Sequence, residues 1–407
     1  MTAEATDDRI SASRLAELAG APEAFVRQAA ELGIVEAGAG ARPFSTNDVG
    51  RVRLAAACDR AGLPLDGVGK AVAEGRLSFA FMDLPQYGFA RFTGATYQQV
   101  AADRGIPVEF LLRLHEAQGF ARPDPSDAVR EDDVPVIAAL QVALLFGMPE
   151  EAVVRMTRVY GETMRRVAEG ENDAYRRHVE APLLSAGMDV GSMLASASAF
   201  GAEYSQVMDQ ALLSLYHRQQ EHVWISNMVD RIEESLEQMG LVERLERPPA
   251  MCFLDLVGYT RLTEERGDAA AAELAASLAG VVQGVSQHHG GRPVKWLGDG
   301  VMFYFPDPAE GVVSALEMVE ETGTAGLPPA HVGLHAGPVV RQDGDYFGRT
   351  VNVAARIAGR AGAGEVLVSG ELARVAADAG GILFQDVGPA MLKNVAEPVP
   401  LLRALRA

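Results

Sequence analysis

Two aspartates stand out by where they sit. Asp255 lies within the apolar run MCFLDL, flanked by Leu254 and Leu256. A carboxylate in such a run needs a hydrogen-bonding partner or an ion, because burying it alone is costly. Asp299 lies in VKWLGDGVMFYF, at an Asp-Gly pair between two apolar stretches. Asp-Gly is a common hairpin signal, so taken alone Asp299 reads as a plain turn residue. Brought together at a sheet edge, the two acids suit Mg2+ or Mn2+, hard ions that take carboxylate and phosphate oxygens. Two such ions can activate a hydroxyl and neutralise a triphosphate.

Particular elements must bring them together. MCFLDL predicts a strand, 268–289 a helix, and VKWLGDGVMFYF two strands joined at Asp299-Gly300. A helix is expected over 307–322, a strand over HVGLHAG and a helix over TVNVAARIAGR. The strand EVLVS and a last strand pair complete the chain. This β-α-β-β-α-β order predicts an α+β fold, a ferredoxin-like sheet with helices on one face. Its first strand lies beside the hairpin, where Asp255 and Asp299 can converge.

Four blocks in order, FLDLVGYT, VKWLGDGVMF, DYFGRTVNVAAR and MLKNVAEPVP, resemble the class III adenylyl/guanylyl cyclase homology domain. The resemblance covers roughly 250–405. It implies that Asp255 and Asp299 hold two divalent cations, that Lys295 and Asp345 read the purine, and that Asn352 positions the ribose. It also implies that Arg356 stabilises transition-state charge and that Lys393 holds the terminal phosphates. Physical sense supports these roles. Adenine offers a ring-nitrogen acceptor to a lysine and an amino donor to an aspartate, whereas guanine reverses that pattern. Lys295 with Asp345 therefore points to ATP. Asn352 and Arg356, four apart, share one helix face. The family's site lies between two subunits, so a homodimer with two equivalent sites is implied. The expected reaction makes cyclic AMP and pyrophosphate by attack of the ribose 3′-oxygen on the α-phosphorus. Leu254 and Tyr259 depart from commoner small and Phe residues, and Trp296 is expected to pack in the core or an interface.

The first half repeats itself. Gly20, Pro22 and Phe25 recur as Gly105, Pro107 and Phe110, and Asp48-Val49 recurs as Asp133-Val134. Gly-Leu-Pro at 62–64 recurs as Gly-Met-Pro at 147–149, the same 85 residues on. Each copy reads as a short helix, a Gly-x-Pro turn, a second helix, a loop and a longer helix with the Asp as N-cap. The pattern resembles helix-turn-helix units, which leaves a nucleotide-sensing transcription regulator as the alternative function. A helical scaffold explains the same pattern, since the second helices carry only Arg27 and Arg113. Farther on, Ile225, Met228, Ile232, Leu236 and Met239 form a heptad-like stripe, read as a core-facing helix or a dimerising connector. Arg247-Pro248-Pro249 ends it.

The expected organisation is an all-α regulatory region over 1–207, with repeats at about 10–75 and 95–160, a connector over 208–247 and a catalytic domain over 248–407. The front half resembles the regulatory domain of actinobacterial cyclases, some of which respond to acid or lipids. A proton effector would act through His115, His217 or His222, and a lipid through a pocket among the helices at 183–215. At 407 residues the chain needs more than one core, and its net charge of −19 argues against nucleic acid as a partner. Cys58 and Cys252 offer no disulfide framework or metal spacing. With no signal peptide and no long apolar window, a cytoplasmic protein without a membrane span is expected.

Overall fold

The computed structural model describes residues 9–41, 43–79, 82, 90–241 and 248–407. It divides into two compact units, Met1–Val229 and Asp230–Ala407.

The front unit is built twice. The first copy comprises β1 (Arg9–Ile10), α1 (Ala12–Ala19), α2 (Glu23–Glu31), β2 (Phe44–Ser45), α3 (Asp48–Arg60) and α4 (Leu65–Ala73). The second comprises β3 (Phe92–Thr96), α5 (Tyr97–Arg104), α6 (Val108–Ala117), β4 (Ala128–Arg130), α7 (Asp133–Leu145) and α8 (Glu150–Tyr175). All four helix starts, 12, 23, 48 and 65, recur 85 residues later at 97, 108, 133 and 150. Shared turn chemistry explains this agreement. Gly20 and Gly105 end the first helices in the left-handed region, at φ 67 and 64, and Pro22 and Pro107 then stand at the next N-caps. Thr96 adds a capping box with Gln99.

Two expectations need correction here. The unit is not purely helical, because β1 pairs with β2 and β3 with β4 in two-stranded ribbons. The long loop of each copy returns beside the residues preceding its first helix, and pairing there satisfies both backbones. Asp48 and Asp133 are the first helical residues rather than N-caps. Both are buried, with Asp48 accepting from the Ser45 amide and pairing with Arg51, and Asp133 accepting from the Tyr97 hydroxyl.

A π-helical turn (Arg176–Glu180) and α9 (Ala181–Ser185) lead to α10 (Val190–Gln238), one 49-residue helix. The expected boundary at 207/208 therefore falls inside a continuous helix. Of the stripe residues, Ile225, Met228, Ile232 and Met239 are exposed and Leu236 is half-buried, so the stripe does not pack into a core of this chain. The expected stop at Arg247 lies outside the described residues.

The second unit follows as β5 (Ala250–Leu256), α11 (Tyr259–Arg266), α12 (Asp268–His288), β6 (Arg292–Leu297), β7 (Gly300–Phe305), α13 (Pro308–Thr324) and β8 (Ala330–Ala336). A hairpin of β9 (Val340–Gln342) and β10 (Asp345–Phe347) precedes α14 (Arg349–Ala358), β11 (Val366–Ser369), α15 (Gly370–Val375), β12 (Ile382–Ala390) and β13 (Val399–Arg406). Seven strands form one sheet in the order β12-β13-β11-β8-β5-β7-β6.

Helices cover this sheet on both faces, not one. Cys252, Leu254, Phe303, Phe305, Val332 and Leu334 join Leu278 and Val282 of α12 and Val312 and Met318 of α13 in the main core. On the other face Met251 and Met302 meet Ala354 of α14 and Tyr346 of β10. β5 is buried or half-buried at every residue, the pattern of a strand covered on both sides. Gly333 allows the second layer, since a Cβ there would lie 2.0 Å from the Ala358 backbone nitrogen.

Candidate functional site

β5 and β7 run antiparallel, with Leu254 opposite Val301, so the end of β5 meets the start of β7. Asp255 alternates onto the α14 side, the face of Met251 and Phe253. Asp299 sits in the two-residue turn between β6 and β7, one residue earlier than its Asp-Gly pair suggests. Gly298 takes the positive φ of 73 and Asp299 does not, so Gly298 is the first turn position and Gly300 already belongs to β7. The two carboxyl groups are close enough to perturb each other electrostatically. A Cβ at position 300 would lie 3.3 Å from Asp255 Oδ1, so glycine keeps the space beside that carboxylate open. Partial burial raises the Asp299 pKa, and the nearby Asp255 carboxylate raises it further.

Crowded carboxylates with open space beside them fit a divalent cation, which would relieve their repulsion. Among the described residues no three His, Cys, Asp or Glu side chains form a ready metal cage. Mg2+ needs none, because one or two carboxylates suffice when phosphate and water supply the remaining ligands.

A third residue joins the pair that sequence reasoning missed. His331 of β8 stands opposite Asp255 in register, with Nε2 at 3.7 Å from Asp255 Oδ2. Its Nδ1 contacts the Ala358 carbonyl at 2.8 Å, which makes Nδ1 the donor. The Asp255 carboxylate is the main reason its pKa is raised, with burial opposing. The available signal was the placement of a histidine in HVGLHAG, a strand beside the one bearing Asp255.

Lys295 and Asp345 also come together, Lys295 Nζ donating to Asp345 Oδ2 at 2.7 Å. Burial pushes the Asp345 carboxyl up, but the Lys295 ammonium and the Tyr346 amide more than offset it and hold it below its usual range. The Tyr346 amide donates to Asp345 Oδ1 at 2.8 Å, so both carboxylate oxygens are engaged.

Asn352 and Arg356 project from α14 on its exposed face, while Val353, Ala354, Ile357 and Ala358 bury the opposite one. The helix is fixed at both ends. Thr350 Oγ1 donates to the Pro338 carbonyl at 2.6 Å, and His331 holds the last turn through Ala358. Lys393 is exposed between β12 and β13, beside Asn394 at φ 63. Among the described residues no hydrogen bond or ion pair links Asn352, Arg356 or Lys393 to Asp255 and Asp299 or to Lys295 and Asp345. One chain thus gathers Asp255 with Asp299 and Lys295 with Asp345, and leaves the other three facing outward. Large apolar side chains are exposed nearby in the sequence, among them Val257, Trp296, Leu297 and Phe347. Trp296, at 39% exposure, is not a core residue.

In the front unit, the His115 ring lies 5.8 Å from that of Tyr97 and 5.3 Å from that of Phe120, and its buried Nδ1 has no hydrogen-bond partner. His217 lines a surface cavity of about 730 Å3 with Tyr216 and Trp224; its described lining residues lie between 216 and 227 on α10, outside the expected 183–215. No described helix is long and apolar enough to cross a membrane.

Residues 246–399 match the adenylate and guanylate cyclase catalytic domain family, and residues 61–220 the adenylate cyclase regulatory domain family. A pH-sensitive adenylate cyclase of Mycobacterium tuberculosis is 28% identical over 323 residues, covering 77% of this chain and 79% of that protein. An adenylate cyclase of Streptomyces coelicolor is 29% identical over 272 residues, covering 66% and 68%. A crystal structure of an adenylyl cyclase from P. aeruginosa covers 40% of this chain and 95% of its own at 24% identity, with a TM-score of 0.36.

Proposed function

We infer that this chain, a class III nucleotide cyclase joined to an adenylate cyclase regulatory domain, converts ATP to 3′,5′-cyclic AMP and pyrophosphate. The observation that carries the chemistry is the placement of Asp255, at the end of β5, beside Asp299, in the turn before β7, with Lys295 of β6 paired with Asp345. Strands β8-β5-β7-β6 lie in the 4-1-3-2 order of a ferredoxin-like sheet, which supports that reading of the catalytic domain over 248–407.

Two divalent cations, Mg2+ or Mn2+, held by Asp255 and Asp299 would neutralise the triphosphate and favour ionisation of the ribose 3′-hydroxyl. The 3′-oxygen forms the new bond to the α-phosphorus, the bond to the bridging oxygen breaks, and pyrophosphate leaves with the electron pair. Lys295 keeps two N–H donors beyond the one given to Asp345 and offers one to adenine N1. Asp345 accepts from the 6-amino group. Guanine would set donor against donor and acceptor against acceptor. Asn352 orients the ribose, Arg356 faces the charge that grows on the α-phosphoryl oxygens, and Lys393 holds the terminal phosphates.

Asp255 and Asp299 come from one copy, while the purine readers Lys295 and Asp345 and the outward-facing Asn352, Arg356 and Lys393 come from a second, so two copies make two equivalent sites. The exposed stripe of α10 suits it as a connector between two copies. Residues up to about 207 act as the regulatory region, with a proton or lipid as effector. A transcription-regulator role gains nothing, since Arg27 and Arg113 are tied up in ion pairs with Glu23 and Glu151.

The test is a reaction with equimolar ATP and GTP in Mn2+. The wild-type chain forms cyclic AMP in excess, and Asp299→Asn lowers the rate about a hundredfold, the several kcal/mol that metal charge supplies. Cyclic GMP as the main product, or full activity in Asp299→Asn, contradicts the assignment.

A further inference from the structure

The β9–β10 hairpin that carries Asp345 is not hydrogen-bonded into the seven-stranded sheet; its two strands pair only with each other. Adenine recognition nevertheless needs Asp345 at a fixed distance from Lys295 on β6. Something beyond the Lys295–Asp345 bond must hold them, because each of those side chains must also bond the base.

The link lies close to each reader along its strand. Tyr346, next to Asp345, is buried, and its ring stacks on that of Tyr304 of β7 at 4.6 Å and 17°. Arg292, at the start of β6, places its guanidinium 4.9 Å from the centre of the Tyr304 ring and 5.5 Å from that of Tyr346. It also donates a hydrogen bond to the Tyr346 hydroxyl. In a regular strand, residues three apart such as Arg292 and Lys295 point to opposite faces. A bulge between Pro293 and Lys295 shifts the register, so both side chains reach β10. A bulge that re-aims a side chain beside a binding site is a functional device, and this one has a partner for each residue it re-aims.

We propose that Arg292 is a positioning and specificity-determining residue for the purine. By clamping the Tyr304–Tyr346 stack, it fixes Asp345 against Lys295. This rests on the ATP-cyclase reading and names a residue through which its base selection acts. Arg292 itself need not touch the nucleotide. Lysine is a poor substitute, because a point charge lacks the planar fork that stacks on both rings and reaches the hydroxyl.

The experiment uses the full chain with Mn2+, measuring kcat and KM for ATP and for GTP in wild type, Arg292→Ala, Arg292→Lys and Tyr346→Phe, with thermal midpoints in parallel. For Arg292→Ala, KM for ATP rises about tenfold and the ATP:GTP preference falls about tenfold, while kcat stays within about threefold, as expected when ground-state positioning alone is lost. Arg292→Lys recovers only part of the preference. Tyr346→Phe keeps the ring and removes only the hydroxyl, so it shifts KM the same way by about threefold and guards against a misfolded alanine variant. An ATP-specific wild type whose folded variants keep both KM and base preference overturns this inference alone. So does a fall in kcat with the preference intact, which marks a merely structural role. A wild-type chain that converts neither nucleotide brings down the cyclase reading, and this inference with it.

Discussion

Exchanging the two purine readers should exchange the purine. In Lys295→Glu with Asp345→Cys, the donor facing the ring nitrogen becomes an acceptor, matching the N1–H of guanine, and the acceptor facing the 6-amino group is removed. The magnitude follows from the pair itself. Each reader makes one hydrogen bond to the base from a charged group, worth about 1.5–3 kcal/mol, or roughly 10- to 150-fold in kcat/KM. The side chains are 52% and 25% exposed in the single chain, which places each bond near the lower figure unless a second subunit covers it. The double change should therefore lower the ATP:GTP ratio of kcat/KM by about a hundredfold, and either change alone should weaken ATP use without much gain for GTP. The assay is competition between equimolar nucleotides, with cyclic products separated by chromatography. A double variant that stays active with an unchanged product ratio would refute the assignment of Lys295 and Asp345 as the readers.

Two further outcomes follow from the same packing. Gly333→Ala drives a methyl into the backbone of α14, so it should cost about 3 kcal/mol. That lowers the thermal midpoint of the catalytic unit by roughly 6–12 °C; an unchanged melt would mean that α14 does not sit on β8 at this distance. His289 contacts Glu310 through Nδ1 at 2.7 Å and Glu317 through Nε2 at 2.9 Å, and only the doubly protonated ring can donate to both. Burial alone would lower its pKa, but the two carboxylates outweigh that and raise it. The bridge therefore contributes fully below the unfolded value of about 6.5 and is lost as pH rises through the raised folded value. Melting of wild type and His289→Gln should differ most below pH 6.5 and converge at alkaline pH, and a gap independent of pH would contradict the His289 bridge.

How much of this was legible in the sequence depended on the length and repetition of each signal. The doubled front unit was readable because Gly-x-Pro turns recur at one offset, and the turn chemistry sets each helix start. The catalytic strands and helices were readable because their apolar runs are long and bounded by Gly, Asp and Pro. Short pieces were not: β9 and β10 have three residues each, and the ribbons of the front unit two to five, too few for a period to show. The second helical layer was missed because the double-sided burial of β5 reads as a plain apolar run. In the site, Asp255, Asp299, Lys295 and Asp345 could be named from ordered motifs. His331 and Arg292 could not, because their importance comes from register across neighbouring strands, and at Arg292 from a bulge that a sequence pattern does not announce.

In the proposed site one chain supplies the metal-holding Asp255 and Asp299, and its partner Lys295 and Asp345 with the outward-facing Asn352, Arg356 and Lys393. Mixing two inactive chains, Asp299→Asn and Arg356→Ala, and allowing subunits to exchange tests it directly. Random pairing makes half of the dimers mixed, each with one intact site out of two, so activity should return to about one quarter of wild type. A mixture that remains as inactive as its components would contradict a site shared between two copies.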